Sequence, residues 1–524
     1  AITVRTRDQY NNITTDQGGT TVVTLSSDST GETYYTDACT TSSGSVTLAD
    51  GVSTKTFYYK DTLSGGHTTT ISVAGFTTQN SDTDGYTINP AAADMIEISA
   101  GGGQTTVAGV CVATAITVRS KDQYGNITTD NPGNTTVNIS TDSSAETMYS
   151  DACSTGSGTV VIADTSSTQT FYYLDNLSGG HTMNVSVPGF TTQNADTAAY
   201  TISPAVADHI EVSAGGGQTV VAGVCSGTTV TVQTRDQFGN VTTNQGGGTT
   251  VTLGSDSSAE TYYTDACSTS SGSVALTDGE SSKTFYYDDT LSGGHTTTVS
   301  VAGFTTQNSD TDAYTIDPAV ADHIEISAGS AQTVVAGVCS GTAVTVRTRD
   351  QYNNITTDQG GTTIVTLSSD STGETYYTDA CTTSSGSVTL ADGVSTKTFY
   401  YKDTLTGGHT TTVSVAGFTT QNSDTDGYTI DAAVADMIEV SAGGGQTDVA
   451  GVCVGGAVTV RSRDQYGNIT TNNPGGTTVN ISTDSSGETM YSDACTTGSG
   501  TVVIADASST QTFYYKDTLS GGHT

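Results

Sequence analysis

Nine cysteines carry the clearest chemical pattern in this chain. Eight of them form four pairs whose members lie 42 positions apart. Metal-binding cysteines usually come in close Cys-x-x-Cys clusters, which the sequence lacks. The spacing favours one disulfide per repeat and hence an oxidising compartment, with buried free thiols as the alternative. The predicted pairs are Cys111 with Cys153, Cys225 with Cys267, Cys339 with Cys381, and Cys453 with Cys495, while Cys39 is left unpaired.

Closely spaced aspartates are the second candidate for chemistry. In the segment 80–85, Asp82 and Asp84 alternate with polar residues, and alternating carboxylates in a tight turn can converge on calcium. The second copy has Ala198 in place of the second carboxylate, so turn formation is the competing interpretation. We therefore expect no cofactor, with calcium the one candidate. Its ligands would be Asp82, Asp84, Asp310, Asp312, Asp424 and Asp426, with Asp94 or Asp208 contributing across a domain joint.

A histidine recurs once per repeat after Ser/Thr-Gly-Gly, at His67, His181, His295, His409 and His523. A single histidine without a second one nearby is a poor metal site. A Ser-His-Asp triad would also need a nucleophile elbow, which the sequence does not show. We therefore predict that the chain is not an enzyme and that this histidine is satisfied by neighbours at the start of a strand.

These residues sit in a repeat of fixed period. The segment that begins at Ala1 begins again at Ala115, Thr229, Ala343 and Ala457, a period of 114 residues. Such repetition marks an array of like structural units. Copies one and four resemble each other, as do copies two and five, which indicates a longer period of three units. With joints near Pro90, Pro204 and Pro318, the predicted domains are 1–91, 92–205, 206–319, 320–433 and 434–524.

In this frame the first domain lacks its opening strand and the last lacks its closing strands. The expectation is that the chain continues beyond both ends or that a neighbouring chain supplies the strands.

The sequence of each unit predicts a series of short strands, because apolar and polar residues alternate within short segments. Turns rich in Gly, Asn, Asp and Ser separate these segments. About seven such strands in roughly a hundred residues predict an all-β fold of tandem Ig-like sandwiches, arranged as an elongated rod. In and after the second unit, the predicted strands are 116–121, 136–139, 159–162, 170–173, 183–187, 200–202 and 210–212.

The composition narrows the possible partners. The chain has 15 Lys and Arg against 53 Asp and Glu, a formal net charge of −38. Such a surface repels phosphate backbones and anionic lipids, so we expect no nucleic acid and no membrane insertion. The abundance of Ser, Thr and Gly is common in secreted surface proteins.

One five-residue motif, Asp122-Gln-Tyr-Gly-Asn126, recurs in every unit as Asp-Gln-aromatic-Gly/Asn-Asn. A strand running into this motif resembles bacterial immunoglobulin-like repeats of the invasin and intimin type. The resemblance implies an Ig-like sandwich in an extracellular adhesin, stalk or fibre. The chain has no Trp, so the Cys, Trp, Cys pattern of true immunoglobulins is absent. Gly or Asn can adopt positive φ in the turn and the Asp and Asn side chains can bond its backbone, which predicts a structural role.

The last residue of the motif also begins an Asn-Ile/Val-Thr sequon, so a glycan acceptor competes with the structural role. The candidate acceptors are Asn12, Asn126, Asn240, Asn354 and Asn468, and further sequons begin at Asn134, Asn138, Asn176, Asn184 and Asn480.

Together these features predict a structural extracellular filament or surface fibre built from disulfide-closed domains. The alternative is the stalk of a cell-surface adhesin that holds a distal binding domain, stiffened by calcium. The expected partners are other copies of the chain in a filament, or the continuation of the same long chain. Accessory modules of a carbohydrate-active enzyme form a third class, but that reading needs a catalytic domain that these residues do not supply.

Overall fold

A computed structural model describes residues 1–524 and shows a chain made of β-strands and turns. We call the successive groups of strands domains 1 to 5. Domain 1 contains β1 (Ile2–Arg5), β2 (Thr20–Ser27), β3 (Glu32–Tyr35), β4 (Ser45–Ala49), β5 (Thr54–Asp61), β6 (Gly65–Ser72) and β7 (Ser81–Ile88). Domain 2 contains β8 (Ala93–Ala100), β9 (Thr105–Val107), β10 (Ile116–Asp122), β11 (Thr135–Thr141), β12 (Glu146–Tyr149), β13 (Thr159–Ile162), β14 (Thr168–Asp175), β15 (Gly179–Ser186) and β16 (Ala195–Ser203).

The same order repeats along the rest of the chain. Domain 3 contains β17 (Ala207–Ala214), β18 (Thr219–Val221), β19 (Val230–Asp236), β20 (Thr249–Ser255), β21 (Glu260–Tyr263), β22 (Ser273–Leu276), β23 (Ser282–Asp289), β24 (Gly293–Ser300) and β25 (Ser309–Asp317). Domain 4 contains β26 (Ala321–Ala328), β27 (Thr333–Val335), β28 (Val344–Asp350), β29 (Thr362–Ser369), β30 (Thr375–Tyr377), β31 (Ser387–Ala391), β32 (Thr396–Lys402), β33 (Gly407–Ser414) and β34 (Ser423–Asp431). Domain 5 contains β35 (Ala435–Ala442), β36 (Val458–Asp464), β37 (Thr477–Asn480), β38 (Glu488–Tyr491), β39 (Thr501–Ile504) and β40 (Thr510–Asp517).

Each of the three central domains is a β-sandwich of a four-stranded and a five-stranded sheet. In domain 2 the sheet orders are β12-β14-β10-β8 and β13-β11-β15-β16-β9. Every neighbouring pair is antiparallel except β9 and β16, which run parallel. Inward residues alternate with outward ones along β10, as a strand with one buried face requires. The prediction of an all-β array of tandem sandwiches is confirmed.

The core of domain 2 lies between its two sheets. It holds 17 buried hydrophobic residues, among them the fully buried Phe171 and Tyr173 of β14 and Ile116 of β10. Domains 3 and 4 have equivalent cores of 16 residues each. Each central domain therefore has a separate core of its own, as expected for an independent structural unit.

The strand count corrects the expectation of about seven, because each central domain has nine. The strands that the sequence pattern misses are the three-residue β9 and the four-residue β12 in domain 2. A run of three or four residues shows little alternation, although the equally short β13 was predicted at 159–162. β9 also owes its extended form to a distant partner, since Thr105 pairs with Thr201.

The two outer domains have smaller cores. Domain 1 has no counterparts of β8 and β9 and buries seven core hydrophobics, and domain 5 has no counterparts of β15 and β16 and buries five. In domain 5 the residues 447–449, which correspond to β9, are not a strand. This follows from the pairing, because β9 bonds only to β16 in domain 2.

Four disulfides are present, one in each of domains 2 to 5: Cys111–Cys153, Cys225–Cys267, Cys339–Cys381 and Cys453–Cys495. In domain 2 the bond joins the loop before β10 to the turn after β12. Asp151 stabilises that turn, because one carboxylate oxygen accepts the N–H groups of Ser154 and Thr155 at 2.9 and 2.8 Å. These donors, with the N–H of Thr155 the largest contribution, hold the pKa of Asp151 well below its usual range. Cys39 in domain 1 is an exposed free thiol.

Candidate functional site: the joint between domains

The recurring motif forms a tight turn at the end of a strand, shown here for domain 3. Asp236 ends β19 with its side chain fully buried. Its Oδ1 accepts the backbone N–H groups of Phe238 at 2.9 Å and Asn240 at 3.0 Å. Gly239 has a φ of 88°, in the region that glycine adopts at least cost. The predicted positive φ is confirmed in all five copies, at Asn11, Gly125, Gly239, Asn353 and Gly467.

The second oxygen of the same aspartate holds the linker from the preceding domain. Asp236 Oδ2 accepts the N–H of Ala205 at 2.9 Å, and the hydroxyl of Thr242 donates to the carbonyl of Ala205 at 2.7 Å. Both backbone polar groups of this linker residue are therefore bound by the following domain. The same two contacts fix Ala91, Ala319 and Ala433.

The asparagine of the motif bridges the two domains. Asn240 Nδ2 donates to the carbonyl of Asn176 in domain 2 at 2.7 Å, and its Oδ1 accepts the N–H of Ser178 at 2.9 Å. The second hydrogen of Nδ2 goes to Asp236 Oδ2 at 2.9 Å. The whole residue is only 7 % exposed. Equivalent bridges join Asn126 to Thr62 and Ser64, Asn354 to Thr290 and Ser292, and Asn468 to Thr404 and Thr406.

These bridges argue against the expectation that the motif asparagines carry glycans. At Asn126, Asn240, Asn354 and Asn468 the amide nitrogen donates twice, and a sugar on it would displace a donor and occupy the space of the preceding domain. Asn12 lies in domain 1, is exposed, and bonds only within its own turn to Asp8.

An aromatic ring of the motif packs on a glycine of the preceding domain. A Cβ atom on Gly109 would lie 2.3 Å from Cζ of Phe238 in domain 3, so only glycine lets the ring approach. The arrangement repeats at Gly223 with Tyr352 and at Gly337 with Tyr466. A Cβ atom on these glycines would lie 1.9 and 1.8 Å from the tyrosine hydroxyl oxygen. Gly109 stands two residues before Cys111, so the disulfide anchors the loop that supports the ring.

At the joint between domains 1 and 2, the buried carboxylate of Asp122 is ionised in spite of its burial. For Asp122, burial acts to raise the pKa, but the amide of Asn126 and the backbone N–H groups of Ala91, Asn126 and Tyr124 outweigh it. Its pKa therefore lies below its ordinary value. An ionised, buried carboxylate with four donors is a strong local organiser of the backbone.

The aspartates proposed as calcium ligands lie on a strand, which corrects the expectation of a tight turn. In domain 3, Asp310 and Asp312 lie two residues apart on β25, so their side chains point to the same face of the sheet. Asp310 accepts the N–H of Val212 at 2.8 Å, and Asp312 accepts that of Gly217 at 3.3 Å. In domain 4 the N–H groups of Ile326 and Ala331 bind Asp424 and Asp426. Asp82 and Asp84 lie on β7 of domain 1.

The acidic residues expected to contribute across a joint bind within their own domains instead. Asp208 accepts the N–H and hydroxyl groups of Thr305 and Thr306, and Asp94 does the same with Thr191 and Thr192. Nowhere in residues 1–524 do three or more His, Cys, Asp or Glu side chains converge as metal ligands would.

The recurring histidine has protein partners on both ring nitrogens. His181 Nε2 lies 3.0 Å from the carbonyl oxygen of Leu177, and Nδ1 lies 3.6 Å from Asp142 Oδ1. The ring packs beside that of Tyr200, with centroids 5.5 Å apart. These contacts hold the start of β15 and give the residue a structural role.

A buried acidic cluster lies beside the joint and was not predicted from the sequence. In domain 2, Glu146 lies opposite Asp175 in the sheet register, and the hydroxyl of Tyr200 donates to Asp175 Oδ2 at 2.9 Å. Burial, followed by the negative charges of Asp175 and Asp142, raises the pKa of Glu146 to about 8. The carbonyl of Asp175 accepts the N–H of Gly109, so the cluster touches the joint. No local pattern marks these residues, because they come from separate strands.

No family model and no curated protein matches this chain. Among solved structures it is similar to domains 1–6 of the surface layer protein SbsC, with 15 % identity over 95 % of this chain and a TM-score of 0.22. The chain spans 61 % of that structure and 58 % of a longer structure of the same protein. It is also similar to InvD of Yersinia pseudotuberculosis, with 14 % identity, 64 % of this chain and 96 % of that one covered, and a TM-score of 0.28. At such TM-scores the likeness carries no weight for function.

No helix in the structure is long and apolar enough to span a membrane.

Proposed function

We propose that this chain is a structural segment of an extracellular filament or surface fibre, in which successive sandwiches act as a stiff rod. The observation that carries the proposal is the joint, which repeats with the same contacts at Asn126, Asn240, Asn354 and Asn468. A binding or catalytic module needs one site, whereas a load-bearing array needs the same junction at every step.

The contacts of the joint restrict motion in distinct ways. The two bonds of Asn240 to domain 2 resist separation of the domains, and each net contribution is about 1 kcal/mol. The bound N–H and C=O of Ala205 remove the freedom of the linker to swivel. The ring of Phe238 on Gly109 blocks bending toward that side. Small interdomain contacts otherwise leave domains free to move relative to one another.

The chemistry of the chain supports an extracellular position at the cell surface. Four disulfides at equivalent places are typical of proteins that fold in an oxidising compartment. The net charge of −38 keeps the rods soluble, and it disfavours nucleic acid as a partner.

We also propose that the chain has neither enzymatic activity nor a resident cofactor. The aspartates with metal-like spacing bind backbone N–H groups, and the recurring histidine faces a carbonyl and a carboxylate of its own domain. These partners account for the recurring aspartates and the recurring histidine that were candidate ligands.

The rod is tested by small-angle X-ray scattering on a variant with Asn126, Asn240, Asn354 and Asn468 all changed to Ala. We expect a shorter maximum dimension and greater flexibility than in the wild type. The matched control is Asn12→Ala, which removes the same side chain from the same turn, where it bonds only to Asp8 of its own domain. A quadruple variant as extended and stiff as the wild type would refute the joint as the source of stiffness.

Electron microscopy of native material separates the filament from the stalk. Lateral or head-to-tail contacts between chains support the filament. A solitary rod of single-chain width with a different globular tip overturns it in favour of an adhesin stalk.

A further inference from the structure

We propose that Asn138 and Asn480 are acceptors for N-linked glycans and that the motif asparagines at the four joints are not. The chain has ten Asn-x-Ser/Thr sequons, and the sequence alone cannot rank them. The structure ranks them, because a glycan acceptor needs an exposed asparagine whose side-chain amide, nitrogen and oxygen alike, is not used by a protein contact.

Most of the sequons fail this requirement. At the four joints the amide nitrogen of each motif asparagine donates to two acceptors, and Asn240, Asn354 and Asn468 are also buried. Among the others, Asn176 has a buried side-chain oxygen and lies in the joint itself, and Asn184 is only partly exposed on β15. Asn134 is exposed, but its Oδ1 accepts the N–H of Asp164 at 2.8 Å and so holds a turn at a φ of 67°.

Asn138 meets the requirement. It lies in the middle of β11 on the outer face, exposed, between the buried Val137 and Ile139. Its side chain makes no hydrogen bond to the protein. Its cross-strand neighbours are Thr159 on β13 and Ser186 on β15, both small, so the face around it has room for a bulky group.

Asn480 provides an independent second case. It occupies the position of Asn138 in domain 5, is exposed on β37, and lies opposite Thr501. Its side chain also makes no hydrogen bond. The sequon therefore recurs with the longer, three-domain period of the sequence. At the same position, domains 1, 3 and 4 have threonine, at Thr24, Thr252 and Thr366.

The chemistry is a transfer from a lipid-phosphate-linked oligosaccharide catalysed by an oligosaccharyltransferase. The amide nitrogen of Asn138 attacks the anomeric carbon of the sugar and a C–N bond forms. The bond from that carbon to the phosphate oxygen breaks, the lipid phosphate leaves with the electron pair, and the amide loses one proton. The hydroxyl of Ser140 completes the sequon two residues on.

The test is glycopeptide mass spectrometry on the full chain isolated from the cells that produce it. We expect a glycan mass on the peptides of Asn138 and Asn480 and none on those of Asn126, Asn240, Asn354 and Asn468. An unmodified Asn138 or Asn480, or a glycan on any of those four motif asparagines, overturns the assignment.

Two variants made in the same cells sharpen the test. Asn138→Thr installs the residue that domains 3 and 4 have at this position, so we expect normal folding and loss of one glycan. Ser140→Ala keeps the asparagine but removes the sequon, and we expect the same loss. A glycan that persists on Ser140→Ala overturns an N-linked attachment.

The inference rests on the extracellular location in the proposed function. A single proteolytic digest, analysed by mass spectrometry for both disulfides and glycans, separates a failure of the location from a failure of the glycan assignment. Missing disulfides would count against the location itself. Intact disulfides with bare Asn138 and Asn480 would overturn the glycans alone.

Discussion

The disulfide of each domain should set how far that domain lengthens under force. In domain 3 the bond joins Cys225, just before β19, to Cys267, just after β21. Force applied to the ends of the domain reaches β18 once β17 has separated from β19, and it then loads β18 against β25, which run parallel and pair Thr219 with Thr315. Pulling two parallel strands in opposite directions strains all their hydrogen bonds at once. When this pair separates, the chain unravels from its first strand only as far as the disulfide.

The size of the effect follows from the loop that the disulfide closes. Its ends are 42 positions apart in sequence and 5.8 Å apart between Cα atoms. At about 3.5 Å per extended residue, breaking the bond releases roughly 140 Å of additional chain per domain. The four bonded domains together would release about 560 Å on the same estimate.

Single-molecule force spectroscopy of the full chain, with and without a reductant, measures these increments. We expect each bonded domain to give a longer unfolding step after reduction. Domain 1 serves as an internal control, since Cys39 has no partner in these residues and its step should not change. Equal step lengths with and without reductant would refute the reasoning, because the disulfide would then lie outside the stretched path.

Three further outcomes are expected. Gly223→Val places a side chain where the ring of Tyr352 packs, at a φ of 71° that valine adopts poorly. Small-angle scattering should show a loosened joint between domains 3 and 4. The control Gly227→Val has open space at its Cβ and should leave the joint unchanged. Glu146→Gln should reduce the pH dependence of the unfolding temperature in calorimetry. Burial raises the pKa of Glu146 from 4.5 to about 8, so its protonated form stabilises domain 2 fully below about pH 4.5 and this stabilisation is lost as pH rises through about 8. An unchanged profile would contradict that assignment. Removal of divalent cations by a chelator should leave the unfolding temperature unchanged, because Asp310 and Asp312 bind backbone N–H groups, and a clear decrease would restore calcium as a ligand.

In the motif, contacts between near neighbours in sequence were predictable, whereas contacts with distant residues were not. The turn at Asp236 was predictable, since the positive φ at Gly239 and the capping by the aspartate involve neighbours within four residues. The bridge from Asn240 to Asn176 was not, because 64 positions separate the two residues. The aspartate pair was misread for a related reason: Asp-x-Asp suits a turn, but alternation along β25 places Asp310 and Asp312 on one face of a strand.

Local sequence was enough to predict the repeated unit, its all-β sandwich fold and the turn chemistry of the motif. The repeat period and the alternation of apolar with polar residues can be read from the sequence directly. Because successive side chains of a strand point to opposite faces of the sheet, this alternation predicts which residues face the core. Only the folded chain shows that Asn126 and its counterparts join domains, that β9 forms by pairing with β16, and that Glu146 lies opposite Asp175. Each of these depends on which distant backbone groups come within hydrogen-bonding distance, and that distance exists only once the chain has folded.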